Sequence, residues 1–342
     1  MKSGFIWIYF EWILILRKNK REERKNMDSF IYSLNATVPI FLVMVIGSLL
    51  KKQGMLNDQF VNAANKFVFT VALPAKLFLD LAGTDIRHNF DVKYIGFCFV
   101  VTLISILAVW MLAGKLLKDS AEIGAFVQAS YRSSAAILGV AFIENIYGNS
   151  GMAPLMMIGA VPLYNVFAVI VLVFENPENT EQGKEKIVKA LKGVVTNPII
   201  LSIAAGMIVS LFEIQFPQMI YKTVNNLGIL ASPLALIAIG AGFEGKKAIK
   251  KLKPTIAATM IKLVVLELIF LPLAVLLGFR DQKLLALIIM LGSPTTPTAY
   301  IMAKNMGGDD VLTSSVVVLT TMLSAVTLTF WIFIMRYLGL IQ

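Results

Sequence analysis

The chain has 342 residues, of which 57% are hydrophobic and only 15% are charged, and its mean hydropathy is +0.76. A soluble core of this length cannot bury that much apolar surface, so the composition predicts an integral membrane protein. The net charge of +10 would suit a nucleic-acid-binding protein if the chain were soluble. Here the Lys and Arg residues lie in short loops between apolar segments, so we exclude nucleic acid as a partner.

The polar residues lack the patterns of an enzyme or a metalloprotein. The single cysteine, Cys98, excludes an intrachain disulfide and a thiolate metal cluster, and the single histidine, His88, lies in a polar loop. The sequence has no His/Cys/Asp cluster with metal spacing and no Gly-rich phosphate loop followed by Lys. We therefore predict that the protein is not an enzyme and uses no metal and no cofactor.

Ten apolar segments are long enough to cross a bilayer, whose hydrocarbon core of about 30 Å requires roughly twenty apolar residues per helix. The one sizeable polar stretch, residues 175–193, separates the fifth segment from the sixth. The segments lie at about 30–50, 59–82, 92–116, 121–146, 152–174, 197–216, 219–243, 254–278, 284–305 and 311–337.

An internal repeat relates the two halves of the chain. A shift of 159 positions places Pro39 on Pro198 and Pro74 on Pro233, and several glycines coincide at the same offset. Because each repeat has an odd number of segments, the second enters the membrane from the opposite side. We therefore predict an all-α membrane fold of ten transmembrane helices arranged as two inverted five-helix repeats. The divisions are 27–174 for the first repeat, 175–196 for a cytoplasmic linker and 197–342 for the second repeat.

Loop charge predicts the orientation in the cell membrane. The loops after the odd-numbered segments carry 14 Lys and Arg residues, whereas the other side carries six when counted from Met27. The positive-inside rule makes the first set cytoplasmic and both termini extracytoplasmic. Residues 1–26 do not fit this orientation because they contain a basic cluster. They are either an interfacial amphipathic element or a non-native extension ahead of a start at Met27, and we favour the second.

Helix-breaking residues mark four of the segments. Pro74 and Pro233 are expected to kink the second and seventh segments. In the ninth segment, Pro294 and Pro297 lie close to a glycine, which predicts an unwound backbone at mid-membrane. The polar residues 128–139 form the matching part of the fourth segment. We expect segments four and nine to cross there and to direct the N-termini of half-helices towards an anion.

The candidate anion-binding residues lie at these two breaks. A charged residue within a membrane segment is costly, so Arg132 is a candidate carboxylate ligand, although it could instead extend to the interface. Ser133, Ser134, Thr295 and Thr296 offer hydrogen bonds.

Other polar residues within the segments are candidates for the site or for ion coupling. Asn165 is a further candidate at the site, but both Asn165 and Asn65 could equally form ordinary hydrogen bonds between helices. Lys76 is open to the same two interpretations as Arg132, and Glu267 is the clearest acidic residue within a segment. We name Asn65, Lys76 and Glu267 as candidates for coupling to H⁺ or Na⁺, and the sequence leaves open whether any ion is coupled.

Several short motifs in the same order resemble the auxin efflux carrier family, which includes bacterial permeases for malate or malonate. The match covers Met27 to Leu340. The residues that carry it are Val38-Pro39-Ile40-Phe41, Gly47, Asn65-Lys66-Phe67, Leu73-Pro74, Gly139, Ile146-Tyr147-Gly148, Pro294, Ala303-Lys304 and Thr313-Ser314-Ser315-Val316-Val317.

The resemblance implies ten helices in two inverted repeats, carboxylate substrates at the crossing of segments four and nine, and often a homodimer. It also implies that Ser134 occupies a polar position where the family often has Asn. The crossover proline of segment four falls on Ala141, which leaves Gly139 as the expected helix breaker.

The sequence therefore predicts a secondary transporter or facilitator of small organic anions, such as malate, malonate or auxin-like acids, that works by alternating access. One alternative is a sodium-coupled symporter of the bile-acid type. Another is a membrane sensor that binds an organic acid without transporting it, although the short cytoplasmic loops leave little room for a signalling domain.

Overall fold

The structure is a computed structural model that describes residues 38–83, 91–135, 143, 147, 152–179, 181, 183–243 and 245–341. Within these residues all regular secondary structure is helical. Six helices are long and apolar enough to cross a membrane, and a seventh span results if one bent pair of helices is counted. The protein is thus a multi-pass helical membrane protein, as its composition predicts. The predicted extension at residues 1–26 lies outside the described residues.

The described residues of the first half form six helices of more than one residue, and a π-helical turn at Val68–Ala72 joins the second of these to the third. Asn57, Asp91 and Asp119 each accept a hydrogen bond from a backbone N–H of the helix that follows, so polar caps set where these helices begin. The helices are α1 (38–52), α2 (Asp58–Phe67), α3 (Leu73–Ala82), α4 (Val92–Leu116), α5 (Ser120–Tyr131) and α6 (Ala153–Phe174).

The described residues of the second half form ten helices. A π-helical turn at Ile261–Val265 joins two of them, Leu252–Met260 and Leu266–Leu276. Residues 175–196, predicted as a linker, include the helix Gly183–Thr196. This helix meets the next one, Pro198–Leu211, at a bend of 54°. The helices are α7 (Gly183–Thr196), α8 (Pro198–Leu211), α9 (Gln218–Ile229), α10 (Ala231–Gly242), α11 (Gly245–Lys250), α12 (Leu252–Met260), α13 (Leu266–Leu276), α14 (Asp281–Gly292), α15 (Pro297–Asn305) and α16 (Asp310–Tyr337).

Glycines let α1 and α10 approach backbone to backbone. A Cβ atom built on Gly240 would overlap the backbone of Met44, and one built on Gly47 would overlap the backbone of Ile237. Helices in membranes gain association energy mainly from such close packing, because lipid tails are as apolar as the side chains. The two glycines therefore hold the first helix of one half against the second half.

Replacing Gly240 with Ala should lower the thermal stability of the purified protein. The added methyl group must push α1 and α10 apart, at a cost of about 1–3 kcal/mol. Gly96→Ala is the matched control, because Gly96 lies in α4 and no atom lies within 4 Å of its built Cβ. That substitution should be neutral or stabilising, since Ala favours a helix over Gly by up to about 1 kcal/mol. Equal melting temperatures for the two variants would contradict the proposed packing.

Lys251 joins three helices at one end of the bundle. It precedes α12 and forms ion pairs with Glu122 in α5 and with Asp309, whose Oδ2 lies 2.8 Å from its Nζ atom. Asp309 also caps the N-terminus of α16. Partial burial lowers the pKa of Lys251, but the hydrogen bonds to Asp309 and Glu122 outweigh it and leave the pKa above the ordinary 10.5.

We expect Lys251→Met to lower the melting temperature at neutral pH, by the equivalent of about 1 kcal/mol. Because the folded-state pKa is raised, the ion pairs stabilise the fold below the ordinary pKa and lose their effect as pH rises through the folded value. The difference between wild type and variant should therefore shrink in strong alkali. Lys250→Met, at an exposed neighbour, is the control and should leave the melting temperature unchanged. A difference that is constant with pH would rule out the ion pairs as its source.

Candidate functional site

Two helices end inside the bundle, and the chain continues in an extended form. α14 ends at Gly292, and the backbone stays non-helical until α15 begins at Pro297. Pro294 and Pro297 explain this break, since proline cannot continue the ladder of helical hydrogen bonds. α5 ends at Tyr131, and Arg132 to Ser134 are non-helical. The expected breaker Gly139 and the crossover position Ala141 lie outside the described residues, so their roles stay predictions.

The two breaks contact each other through their backbones. The amide of Ser134 donates to the carbonyl of Pro294 at 2.9 Å. The hydroxyl of Thr295 donates to the carbonyl of Ala129, in the last turn of α5, at 2.6 Å. Backbone groups freed at one break are thus satisfied by groups from the other, as unwound backbone in a membrane requires.

The hydroxyl of Ser133 strengthens this contact. It donates to the carbonyl of Ile289 at 3.1 Å and is hydrogen-bonded to the hydroxyl of Ser293. The hydroxyls of Ser133 and Thr295 therefore hold the two breaks together, and the hydrogen bonds that they were expected to offer an anion stay a prediction.

Arg132 points into the protein and is only 2% exposed. Its Nη2 donates to Asn165 Oδ1 at 3.0 Å, and its Nη1 donates to the carbonyl of Tyr164 at 3.3 Å and contacts Met302 Sδ at 3.0 Å. Asn165 is fixed in turn by a bond to the carbonyl of Val161 at 2.9 Å. Among the described residues, Arg132 meets only uncharged groups and its Nε has no hydrogen-bond partner. A buried cation that contacts only uncharged groups is a candidate site for an anion.

A small cavity of about 60 Å³ opens beside Arg132. A volume of roughly 10–15 Å³ on this measure holds one water, so the cavity holds only a few. A single carboxylate group would fill most of it, and a larger acid would require the surrounding helices to separate. Its walls are Leu73, Lys76, Leu77, Asp80, Arg132, Ser133, Ser134, Val161, Tyr164, Asn165, Ala231, Ser232, Ala235, Thr296, Pro297 and Thr298.

The N-terminus of α15 faces the same cavity. Thr296 caps this helix by accepting a hydrogen bond from the amide of Thr298, and Pro297 has no amide hydrogen to satisfy. The helix dipole places partial positive charge at this end, which favours an anion. Ser134, Thr296 and Arg132 therefore line one cavity, and their role in binding an anion stays a prediction.

The three candidates for ion coupling lie in three different places. Lys76 lines the cavity but pairs with Asp80 one helical turn later, with 3.1 Å between Nζ and Oδ2. Asn65 is buried away from the cavity and donates to the hydroxyl of Tyr300 at 3.5 Å. Glu267 is fully buried beside Gly292, behind the second break.

Pro74 and Pro233 lie near interruptions in their helices but do not enter the contact between the two breaks. Pro74 follows the π-helical turn in the first turn of α3, and Pro233 lies in the first turn of α10, just after the interruption at Leu230. Both prolines thus lie next to an interruption of the regular α-helix, and the kink expected at each stays a prediction.

Lys262 is a buried residue that the sequence analysis missed. It lies in the π-helical turn before α13, is 0% exposed and donates to the carbonyl of Leu291. The criterion that singled out Arg132, a charge inside an apolar segment, applies equally to Lys262 and would have found it.

Comparison with known proteins decides the family. The family model described as "Membrane transport protein" matches residues 32–332. The chain belongs to this membrane transport family. The match confirms the resemblance to auxin efflux carriers seen in the sequence.

Relatives of this membrane transport protein cover most of its length. An uncharacterised transporter of Methanothermobacter thermautotrophicus is 21% identical over 88% of this chain and 98% of the relative. The uncharacterised transporter YfdV of Escherichia coli K12 is 25% identical over 70% of this chain and 76% of the relative. A Rhizobium meliloti protein provisionally named a malonate transporter is 24% identical over 87% of this chain and 94% of the relative.

Removing the Thr295 hydroxyl should loosen the contact between the two breaks. Thr295→Val keeps the size of the side chain but leaves the carbonyl of Ala129 without this donor, at a cost of about 1–3 kcal/mol in the free energy of unfolding. Thr295→Ser retains the hydroxyl and is the control, which should unfold close to the wild-type temperature. Thermal unfolding of the three purified proteins measures the effect. A Val variant as stable as the Ser variant would contradict the role of this bond.

Proposed function

We propose that this membrane transport protein is a secondary transporter or facilitator of small mono- or dicarboxylates, working by alternating access. One observation carries the proposal: Arg132 is buried beside a cavity where two interrupted helices meet, and among the described residues it contacts only uncharged groups.

The chemistry around this cavity favours a carboxylate. The guanidinium group offers a planar pair of donors that matches the two carboxylate oxygens. The hydroxyls of Ser134 and Thr296 and the N-terminus of α15 add neutral donors and partial positive charge on other sides. The provisional name of the Rhizobium meliloti relative supports malonate as the first acid to test.

The helix boundaries support the inverted-repeat architecture. The α2–α3 segment is interrupted at Val68–Ala72, and the α9–α10 segment is interrupted at Leu230, near the position that an offset of 159 predicts. We propose that ten helices form two inverted repeats, with segments four and nine crossing at the midplane and both termini extracytoplasmic. A homodimer is also part of this proposal.

The arrangement of the cavity walls suggests which helices move relative to one another. α3 and α10 line one side, while α6, α15 and the break after α5 line the other. A larger cavity of about 550 Å³ lies between α1, α2 and α10 on one side and α15 and α16 on the other. Lys51, Lys52 and Lys304 line it, at the end that loop charge predicts to be cytoplasmic. In our proposal, the anion passes between these two groups of helices.

Uptake of labelled malonate by proteoliposomes tests the proposal. The wild type should take up malonate, and Arg132→Gln should lose at least about tenfold in uptake and in affinity, because a lost charge-assisted pair is worth 1.4 kcal/mol or more. Arg132→Lys should recover part of the affinity, since it restores the charge but not the paired donors.

Lys222→Gln is the control for a general loss of positive charge, because Lys222 is exposed and far from the cavity walls. Its uptake should equal that of the wild type. Wild-type uptake by Arg132→Gln would remove Arg132 from the site, and malonate binding without flux would favour a sensor over a transporter.

A further inference from the structure

Two charged side chains are fully buried behind the second break and do not line the anion cavity. Lys262 and Glu267 are both 0% exposed. Ionisable groups at membrane depth are costly to bury and are usually retained for function. The pair therefore requires an explanation beyond packing.

The π-helical turn brings these two residues to one side of their helix. Five residues apart on a regular α-helix, their side chains would point about 140° away from each other. A π-helical turn has hydrogen bonds from i to i+5, so it returns to the same side after about five residues. The π-helical turn at Ile261–Val265 contains Lys262 and ends two residues before Glu267, and both side chains reach the end of α14.

Lys262 binds the C-terminal end of α14. Its ammonium group donates to the carbonyl of Leu291, one residue before the helix ends at Gly292. The last carbonyls of a helix lack helical partners and carry partial negative charge. Other side chains donate hydrogen bonds to the two preceding carbonyls of α14. The Ser133 hydroxyl donates to the carbonyl of Ile289 at 3.1 Å, and the Tyr164 hydroxyl donates to the carbonyl of Met290 at 3.5 Å.

Glu267 places a carboxyl group at the same helix end. Its carboxylate packs so closely on Gly292 that a Cβ at that position would overlap it. Neither carboxylate oxygen has a hydrogen-bond partner among the described residues. The end of α14 thus meets the ammonium group of Lys262 at the carbonyl of Leu291 and the carboxyl group of Glu267 at Gly292. A backbone carbonyl and a carboxylate are oxygen ligands of the kind that bind a monovalent cation, and here a lysine occupies the cation's place.

We propose that Lys262 is a built-in cation at the broken helix, and that the protein consequently transports its anion without Na⁺. In transporters with broken helices, the carbonyls at C-terminal half-helix ends coordinate the coupling Na⁺. Here the ammonium group of Lys262 already donates to one of those carbonyls, that of Leu291, so in our proposal no free cation is needed to stabilise the break. The transport part of this inference rests on the proposed function, whereas the cation site itself can be tested without transport.

Removing the ammonium group should create a sodium site. The melting temperature of purified Lys262→Ala should rise by several degrees, in a saturable manner, when choline chloride is replaced by NaCl at equal ionic strength, because binding to the folded state stabilises it. The wild type should not respond. Lys93→Ala is the matched control: Lys93 also donates to a helix-end carbonyl, that of Leu277 at 2.7 Å, but it is exposed to solvent. It should not respond either.

A Lys262→Ala variant that melts at one temperature in both salts, or a wild type that responds as strongly as the variant, would overturn the cation site. The second measurement is uptake of malonate by the wild type in NaCl and in choline chloride. It tests transport without Na⁺ even if the Lys262→Ala variant does not fold. Equal rates are expected, and a strict requirement for Na⁺ would overturn the proposal. Absence of uptake in both salts would count against the proposed function, while the melting experiment would still test Lys262.

Discussion

The arrangement of the site depends on one constraint: backbone that leaves a helix within the hydrocarbon region must find its hydrogen bonds inside the protein. The two breaks meet this constraint by bonding to each other, with the amide of Ser134 on the carbonyl of Pro294 and the hydroxyl of Thr295 on the carbonyl of Ala129. Without the other break, each of these backbone groups would lose this hydrogen-bond partner inside the protein. The cavity, its polar walls and the N-terminus of α15 follow from this mutual contact.

The two breaks are unequal in how the sequence encodes them. The second contains Pro294 and Pro297, which interrupt the helix through local covalent geometry. The first has no proline between α5 and Ser134, and its helix ends where side chains and backbone of the other break take over its hydrogen bonds. Charge follows the same division, since Arg132, the proposed anion ligand, belongs to the first break, and the buried residues Lys262 and Glu267 lie beside the second.

Much of the fold could be predicted from the sequence, because membrane spans and proline breaks are local signals. The apolar spans and the break at Pro294 are of this kind. The meeting of Arg132, Ser134 and Thr296 at one cavity is not a local signal, and it was expected only because the two halves of the chain match at an offset of 159. The end of α5 at Tyr131 could not be predicted, since it depends on contacts with residues more than 150 positions away. For the same reason, the sequence did not reveal that the hydroxyls of Ser133 and Thr295 form hydrogen bonds across the contact between the two breaks.

The glycine contacts limit how the helices can move. Gly240 lies against the backbone of Met44, Gly47 against that of Ile237, and Gly206 against that of Phe78. Backbone surfaces in such contact cannot slide or rotate without overlap, so α1 packs tightly against α10, and α3 against α8. In the proposed transport cycle, relative motion is then expected where these two pairs meet the other helices through side chains. Because α3 and α10 also form one wall of the cavity beside Arg132, they can stay in place while the proposed anion site opens.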